Sequence, residues 1–137
     1  VLQDLARHPV WIFCGPDADT ARQTALEARG ARVVRVTRHT GGLSWDEVLA
    51  ALGATGLTSL LVEGGSRVHG SLLAAQAAHQ ASVVVTPRFL GNQGVPLAVW
   101  DGAAEVAGAP VLDPVKIRRL GADALMEGPL RYLRKEW

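Results

Sequence analysis

Cysteine is nearly absent: Cys14 is the single one in 137 residues. No intrachain disulfide can form, and a Cys-rich metal site is excluded. An excess of charge of one sign is also lacking, since 14 basic side chains face 13 acidic ones, for a net charge of +1. That removes the broad basic footprint of a nucleic-acid binder, so any anion site must be local. No apolar run approaches the roughly 20 residues needed to cross a bilayer. The opening VLQDLARHPVWIF carries a proline and charges where a signal peptide has an unbroken apolar core, which fits a cytoplasmic protein. His8, His39, His69 and His79 lie far apart and form no H-E-x-x-H or similar ligand set, so no metal is expected. The four tryptophans are scattered, without the basic–aromatic interleaving of a nucleic-acid surface.

What remains is the composition of one globular domain, 48% apolar and 20% charged. Val10–Cys14 (VWIFC) is a short apolar run between Pro9 and Gly15-Pro16-Asp17, the profile of a buried strand. Asp17 or Asp19 can cap the Ala- and Arg-rich helix that follows, and Gly30 stands where a left-handed C-terminal residue is expected. Arg32–Val36 reads as an edge-like strand with its two arginines outward. Ser44 and Glu47 form a capping box ahead of a second helix ended by Gly56. Ser59–Val62 then predicts a third strand, and SRVHGSLLAAQAA a third helix. Three strand–helix repeats with short connections predict an α/β fold built on a parallel sheet. Downstream the character changes. SVVVTP is a strand stopped by Pro87, FLGNQGVPL an irregular loop, and residues 110–137 are strand pieces broken at Gly121-Ala122-Asp123. The tail RYLRKEW reads as an antiparallel edge strand or a fraying end.

The stretch with chemical content is Glu63-Gly64-Gly65-Ser66 at the end of the third strand. Ligands of open α/β sheets bind beyond the carboxyl ends of the strands. Two glycines there would let a phosphate approach the backbone, and the first turn of the next helix offers unpaired N–H groups. Ser66, His69 and Ser71 can add donors. The plainer alternative is a left-handed turn with Ser66 as an ordinary N-cap. Neither G-x-G-x-x-G nor G-x-x-x-x-G-K-[ST] is present. Glu63 ends an apolar run, so it either faces a cleft and a polar ligand or is solvated at the strand tip.

LLVEGGSRVHGSLLAA followed by VVVTPRFLGNQGVPL resembles the reductase domain of the bifunctional riboflavin-biosynthesis deaminase–reductases. The pairing of V-E-G-G-x-x-x-x-G-S with a downstream P-x-x-L-G loop carries the likeness. It implies a dihydrofolate-reductase-like, mostly parallel sheet with flanking helices and antiparallel C-terminal strands. The implied reaction uses NADPH to reduce the ribosyl group of a phosphoribosylamino-pyrimidine, 5-amino-6-(5-phosphoribosylamino)uracil, to a ribityl group. By position, Glu63 would contact this small-molecule substrate, and Gly65, Ser66, Arg67, Val68, His69, Gly70 and Ser71 would line the cofactor pyrophosphate, with Gly91 in a nearby loop. An acidic pair usual before the strand at Ser82 is replaced here by AAHQAS. The S-L-D-G and T-x-x-x-D-x-P segments of the family are not found, so residues 1–137 correspond to the C-terminal two-thirds of one domain. A sheet cut short in this way exposes an apolar edge, so a homodimer or a supplied second half is expected. The resemblance also implies a deaminase domain fused upstream. Rival readings are a reductase of another pterin or pyrimidine, and a binding module that keeps the fold without the chemistry.

Overall fold

The computed structural model describes residues 7–132. Its elements are mixed α/β and fall into two compact units, Val1–Leu61 and Val62–Trp137.

The first unit opens with strand β1, Trp11–Cys14, whose connection through helix α1, Thr20–Glu27, returns to a parallel partner β2, Arg32–Arg35. Asp19, not Asp17, caps α1, its carboxylate accepting from the Arg22 N–H at 2.9 Å. Gly30 takes φ +88°, the left-handed residue expected there. The register sets Trp11 opposite Arg32, and the guanidinium lies 3.9 Å from the centre of the indole ring. A cation over an aromatic face at an exposed site contributes about 0.5–1 kcal/mol, which explains an arginine on this edge strand. Arg35 at the far end of β2 donates Nε–H to Gln23 Oε1 at 2.9 Å and Nη1–H to the Pro16 carbonyl at 2.6 Å. One side chain thus ties the end of β2 to both the turn and the helix that precede it. Cys14 is half-buried, its thiol 3.8 Å from the Val34 carbonyl, as suits a small packing residue.

A two-residue ladder of β3, Arg38–His39, and β4, Gly42–Leu43, leads into helix α2, Trp45–Gly53. Half of the capping box forms: the buried Ser44 Oγ accepts from the Glu47 N–H at 3.4 Å. The reciprocal half goes elsewhere. The Ser44 N–H is already bonded to the Thr37 carbonyl at 2.8 Å, so the Glu47 carboxylate accepts from the Thr37 N–H instead, also at 2.8 Å. Hydrogen bonds from the Thr37 hydroxyl and then its N–H, with His39 nearby, hold the Glu47 carboxyl below its ordinary value of 4.5. A depressed carboxyl favours the folded state above that ordinary value and loses the advantage as pH falls through the folded one. Glu47→Gln is therefore expected to flatten the acid limb of the stability curve between about pH 5 and pH 3. Thermal melts of both proteins across that range would show it, and parallel curves would refute it.

The expected strand at Ser59–Val62 does not form. Its composition suits a strand, but a strand also needs a ladder, and among the described residues none pairs with 59–62. Leu60 and Leu61 are accordingly exposed. Parallel pairing is confined to β1 and β2 among the described strands.

The second unit begins at helix α3, Ser66–Ala74, and continues into an antiparallel sheet. Strand β8, Asp123–Arg131, is its centre. On one side β5, Gln80–Val85, pairs along residues 124–129; on the other run β7, Lys116–Leu120, and the short β6, Val111–Leu112. β7 and β8 join through Gly121-Ala122, with Leu120 opposite Asp123 and Gly121 at φ +64°. Positive φ at the first central residue is what a two-residue type II′ hairpin needs. Arg118 reaches diagonally across this hairpin to Glu127, with Nη2 3.0 Å from Oε2. Arg131 is the last residue of β8, where it pairs with Val111 of β6, and Tyr132 follows outside the strand; the rest of the tail, 133–137, lies outside the described residues. Among the described residues β5 pairs on one side only, and Val84 and Val85 on this edge strand stay exposed.

Candidate functional site

The Glu63–Ser71 stretch lies wholly in the second unit. Its turn is not left-handed: neither Gly64 nor Gly65 has positive φ, and Gly65, at φ −75° and ψ 175°, is itself the N-cap. Ser66 is thus the first helical residue and not the cap. The cap has no side chain to accept from the helix, and no acidic residue occupies the first turn. The Gly65 carbonyl accepts from Val68 at 2.9 Å and from His69 at 3.1 Å. That leaves the Ser66 and Arg67 N–H groups among the donors that a helix start cannot satisfy internally. The helix dipole and the exposed Arg67 add positive charge at this end of α3, with the exposed Glu63 carboxylate two residues before the cap.

The three glycines of this stretch have three different reasons. A Cβ on Gly64 would come within 2.7 Å of the Val68 side chain, so packing alone accounts for it. A Cβ on Gly70 would run into the Val99 carbonyl, so this buried position lets another backbone strand of chain lie against the helix. Gly65 is different: a Cβ there would meet nothing within 4 Å, and its φ suits any residue. Neither packing nor backbone conformation within the chain calls for glycine at the cap.

Glu63 is exposed and, among the described residues, makes no hydrogen bond or ion pair. Of the two sequence readings, solvation is the one the structure shows. Ser71 Oγ is directed along its own helix, donating to the Val68 carbonyl at 2.9 Å, and Val68 is partly exposed. His69 turns its Nδ1 to the Leu97 carbonyl at 3.0 Å. The Val99 N–H donates to the Ser66 carbonyl at 2.9 Å, outside any regular ladder. Sequence reasoning missed this crossing segment, having placed Gly91 as the loop's contribution. Gly91 instead takes φ +62° at the start of a 3-10 turn, Gly91–Gln93, and Leu97–Val99 makes the contact. The signal available beforehand was a glycine inside a helix, which often marks a close backbone approach.

Beside the crossing segment is an open apolar cleft of about 200 Å3, lined by Leu73, Val83, Leu97, Trp100, Leu112 and Leu130 among others. It is the incompletely covered interior of the second unit and offers no group for chemistry.

The Bacillus amyloliquefaciens riboflavin biosynthesis protein RibD is 31% identical over 116 residues, 84% of this chain and 31% of its own length. The Escherichia coli (strain K12) riboflavin biosynthesis protein RibD is 28% identical over 95 residues, 69% of this chain and 26% of its own. The chain thus spans about a third or less of the length of these relatives. The family model for the RibD C-terminal domain matches residues 2–126, which takes in β1 through the first four residues of β8 and the whole Glu63–Ser71 stretch. The chain belongs to the RibD C-terminal domain family.

Proposed function

We propose that this chain is part of an oxidoreductase of riboflavin biosynthesis that binds NADPH at the start of α3 and reduces a phosphoribosylamino-pyrimidine. The observation that carries the reading is Gly65, a helix cap left bare where the surrounding chain leaves room for a side chain. A pyrophosphate there would accept from the Ser66 and Arg67 N–H groups and lie beside the Arg67 guanidinium. NADPH would supply a hydride to C1 of the opened ribosyl group, and a proton goes to the attached nitrogen, giving the ribitylamino product. The chain's own part is to anchor and orient the two reactants. Ser71 and Val68 would border the cofactor through the exposed side of α3. Glu63, two residues before the cap and without a hydrogen-bond or ion-pair partner among the described residues, would accept hydrogen bonds from the substrate's polar groups.

The exposed apolar side chains Val84 and Val85 on the edge strand β5, with Ile117 and Leu120 on β7, support a covering partner such as a second copy of the chain. We place the protein in the cytoplasm, as a portion of a longer protein that carries an upstream deaminase domain.

Glu63→Gln separates the roles within the site. It is expected to lower turnover by about 100-fold, through loss of a charged hydrogen-bond acceptor for the substrate. NADPH affinity should stay within a factor of about 3, because Glu63 is outside the cap. Parallel fluorescence titration of NADPH and single-turnover assays in the full-length protein would check this. A Glu63→Gln enzyme that loses NADPH affinity and keeps turnover once saturated would contradict the assignment.

A further inference from the structure

His69 stands in the middle of the stretch that resembles a cofactor loop, yet its ring is already committed. Nδ1 lies 3.0 Å from the Leu97 carbonyl oxygen. A carbonyl can only accept, so Nδ1 carries the hydrogen. In the neutral imidazole Nε2 is then a bare acceptor, the wrong polarity to meet a phosphate oxygen. Two further contacts lie on the same pair of segments. The Val99 N–H donates to the Ser66 carbonyl at 2.9 Å, and Gly70 gives the Val99 carbonyl the room it needs. Ser66, His69 and Gly70 therefore hold Leu97–Val99 across the first turns of α3, and Leu97 and Trp100 at the ends of the crossing line the apolar cleft beside Leu73.

We infer that His69 is a positioning residue: its Nδ1–H latches the Leu97–Trp100 segment onto the first turns of α3, next to the Gly65 cap. The latch itself stands on the contacts described; its effect on cofactor affinity rests on the proposed NADPH site. Because the imidazolium also donates through Nδ1, the latch survives protonation of the ring.

The latch and a direct phosphate contact make opposite demands on substitutions. An Asn amide nitrogen can occupy the place of Nδ1, whereas a Gln amide reaches the place of Nε2. His69→Ala and His69→Gln are expected to speed hydrogen exchange of the Val99 amide on the order of tenfold, since that bond depends on the crossing staying docked. His69→Asn should restore it to near the wild-type rate. In the unsubstituted protein, nitrogen-15 spectra of the ring should give a protonated Nδ1 and an unprotonated Nε2 in the neutral form, a reading that needs no variant to fold. Wild-type Val99 exchange in His69→Ala, or a neutral ring protonated on Nε2, would overturn the latch. NADPH titration of the same variants tests the other link. With the latch intact but no NADPH binding in any protein, the cofactor site fails while His69 keeps its structural role. If His69→Gln keeps NADPH affinity and His69→Asn loses it, the ring serves the phosphate and the inference is wrong.

Discussion

Gly65→Asp is expected to weaken NADPH binding on the order of 100-fold or more while leaving the fold unharmed. The two effects have opposite signs because they come from different physics. Aspartate is at least as good an N-cap as glycine, and its charge complements the helix dipole, so stability should rise by a few tenths of a kcal/mol. The backbone at φ −75° and ψ 175° accommodates a side chain, and nothing within 4 Å obstructs one. The same carboxylate placed against a pyrophosphate repels it: like charges about 4 Å apart near a protein surface cost about 4 kcal/mol. Melting temperature and NADPH titration measured on one preparation check both halves. Lower stability would mean that the cap is crowded after all. Unchanged NADPH affinity would remove the cofactor from this turn.

Gly70→Ala carries the second large effect, and here propensity and packing disagree. Alanine is favoured over glycine inside a helix by about 1 kcal/mol, so propensity alone forecasts stabilisation. The Cβ, however, would collide with the Val99 carbonyl, a backbone atom in a segment held by the Val99–Ser66 and His69–Leu97 hydrogen bonds. A flexible side chain could step aside, but this backbone moves only by undocking the crossing. Overpacking of that kind costs about 1–3 kcal/mol and occasionally more. The expected net result is destabilisation, with a melting temperature lower by about 5 °C and faster exchange at Val99. A melting temperature that rises instead would show that Leu97–Val99 does not lie on α3 as described.

Much of the local structure was legible in the residues because short-range chemistry decides it. Asp19 and Ser44 as caps, the left-handed Gly30 and the break at Gly121-Ala122 follow from hydrogen-bonding reach and the freedom of glycine. What depends on distant partners was less so. LLV at 60–62 has strand composition, but a ladder belongs to two segments, and only one of them is this stretch. The Glu47 carboxylate satisfied the spacing of a capping box and still bonded Thr37, because the Thr37 carbonyl had taken the Ser44 N–H. At the site, the turn was legible as a glycine pair before a helix, whereas the division of labour among its glycines was not. Gly64 answers to Val68, four residues on, and Gly70 to Val99, twenty-nine residues on. Only after those two are accounted for does Gly65 stand out as the position that the chain's own packing leaves unexplained.

The most direct test of the cofactor site is a titration of the nitrogen-15-labelled protein with NADPH, following backbone amides by NMR. Saturable shifts centred on Gly65, Ser66 and Arg67, with Glu63 affected only when substrate analogue is added, are the result expected here. Saturable binding whose shifts leave those three amides unmoved would contradict it.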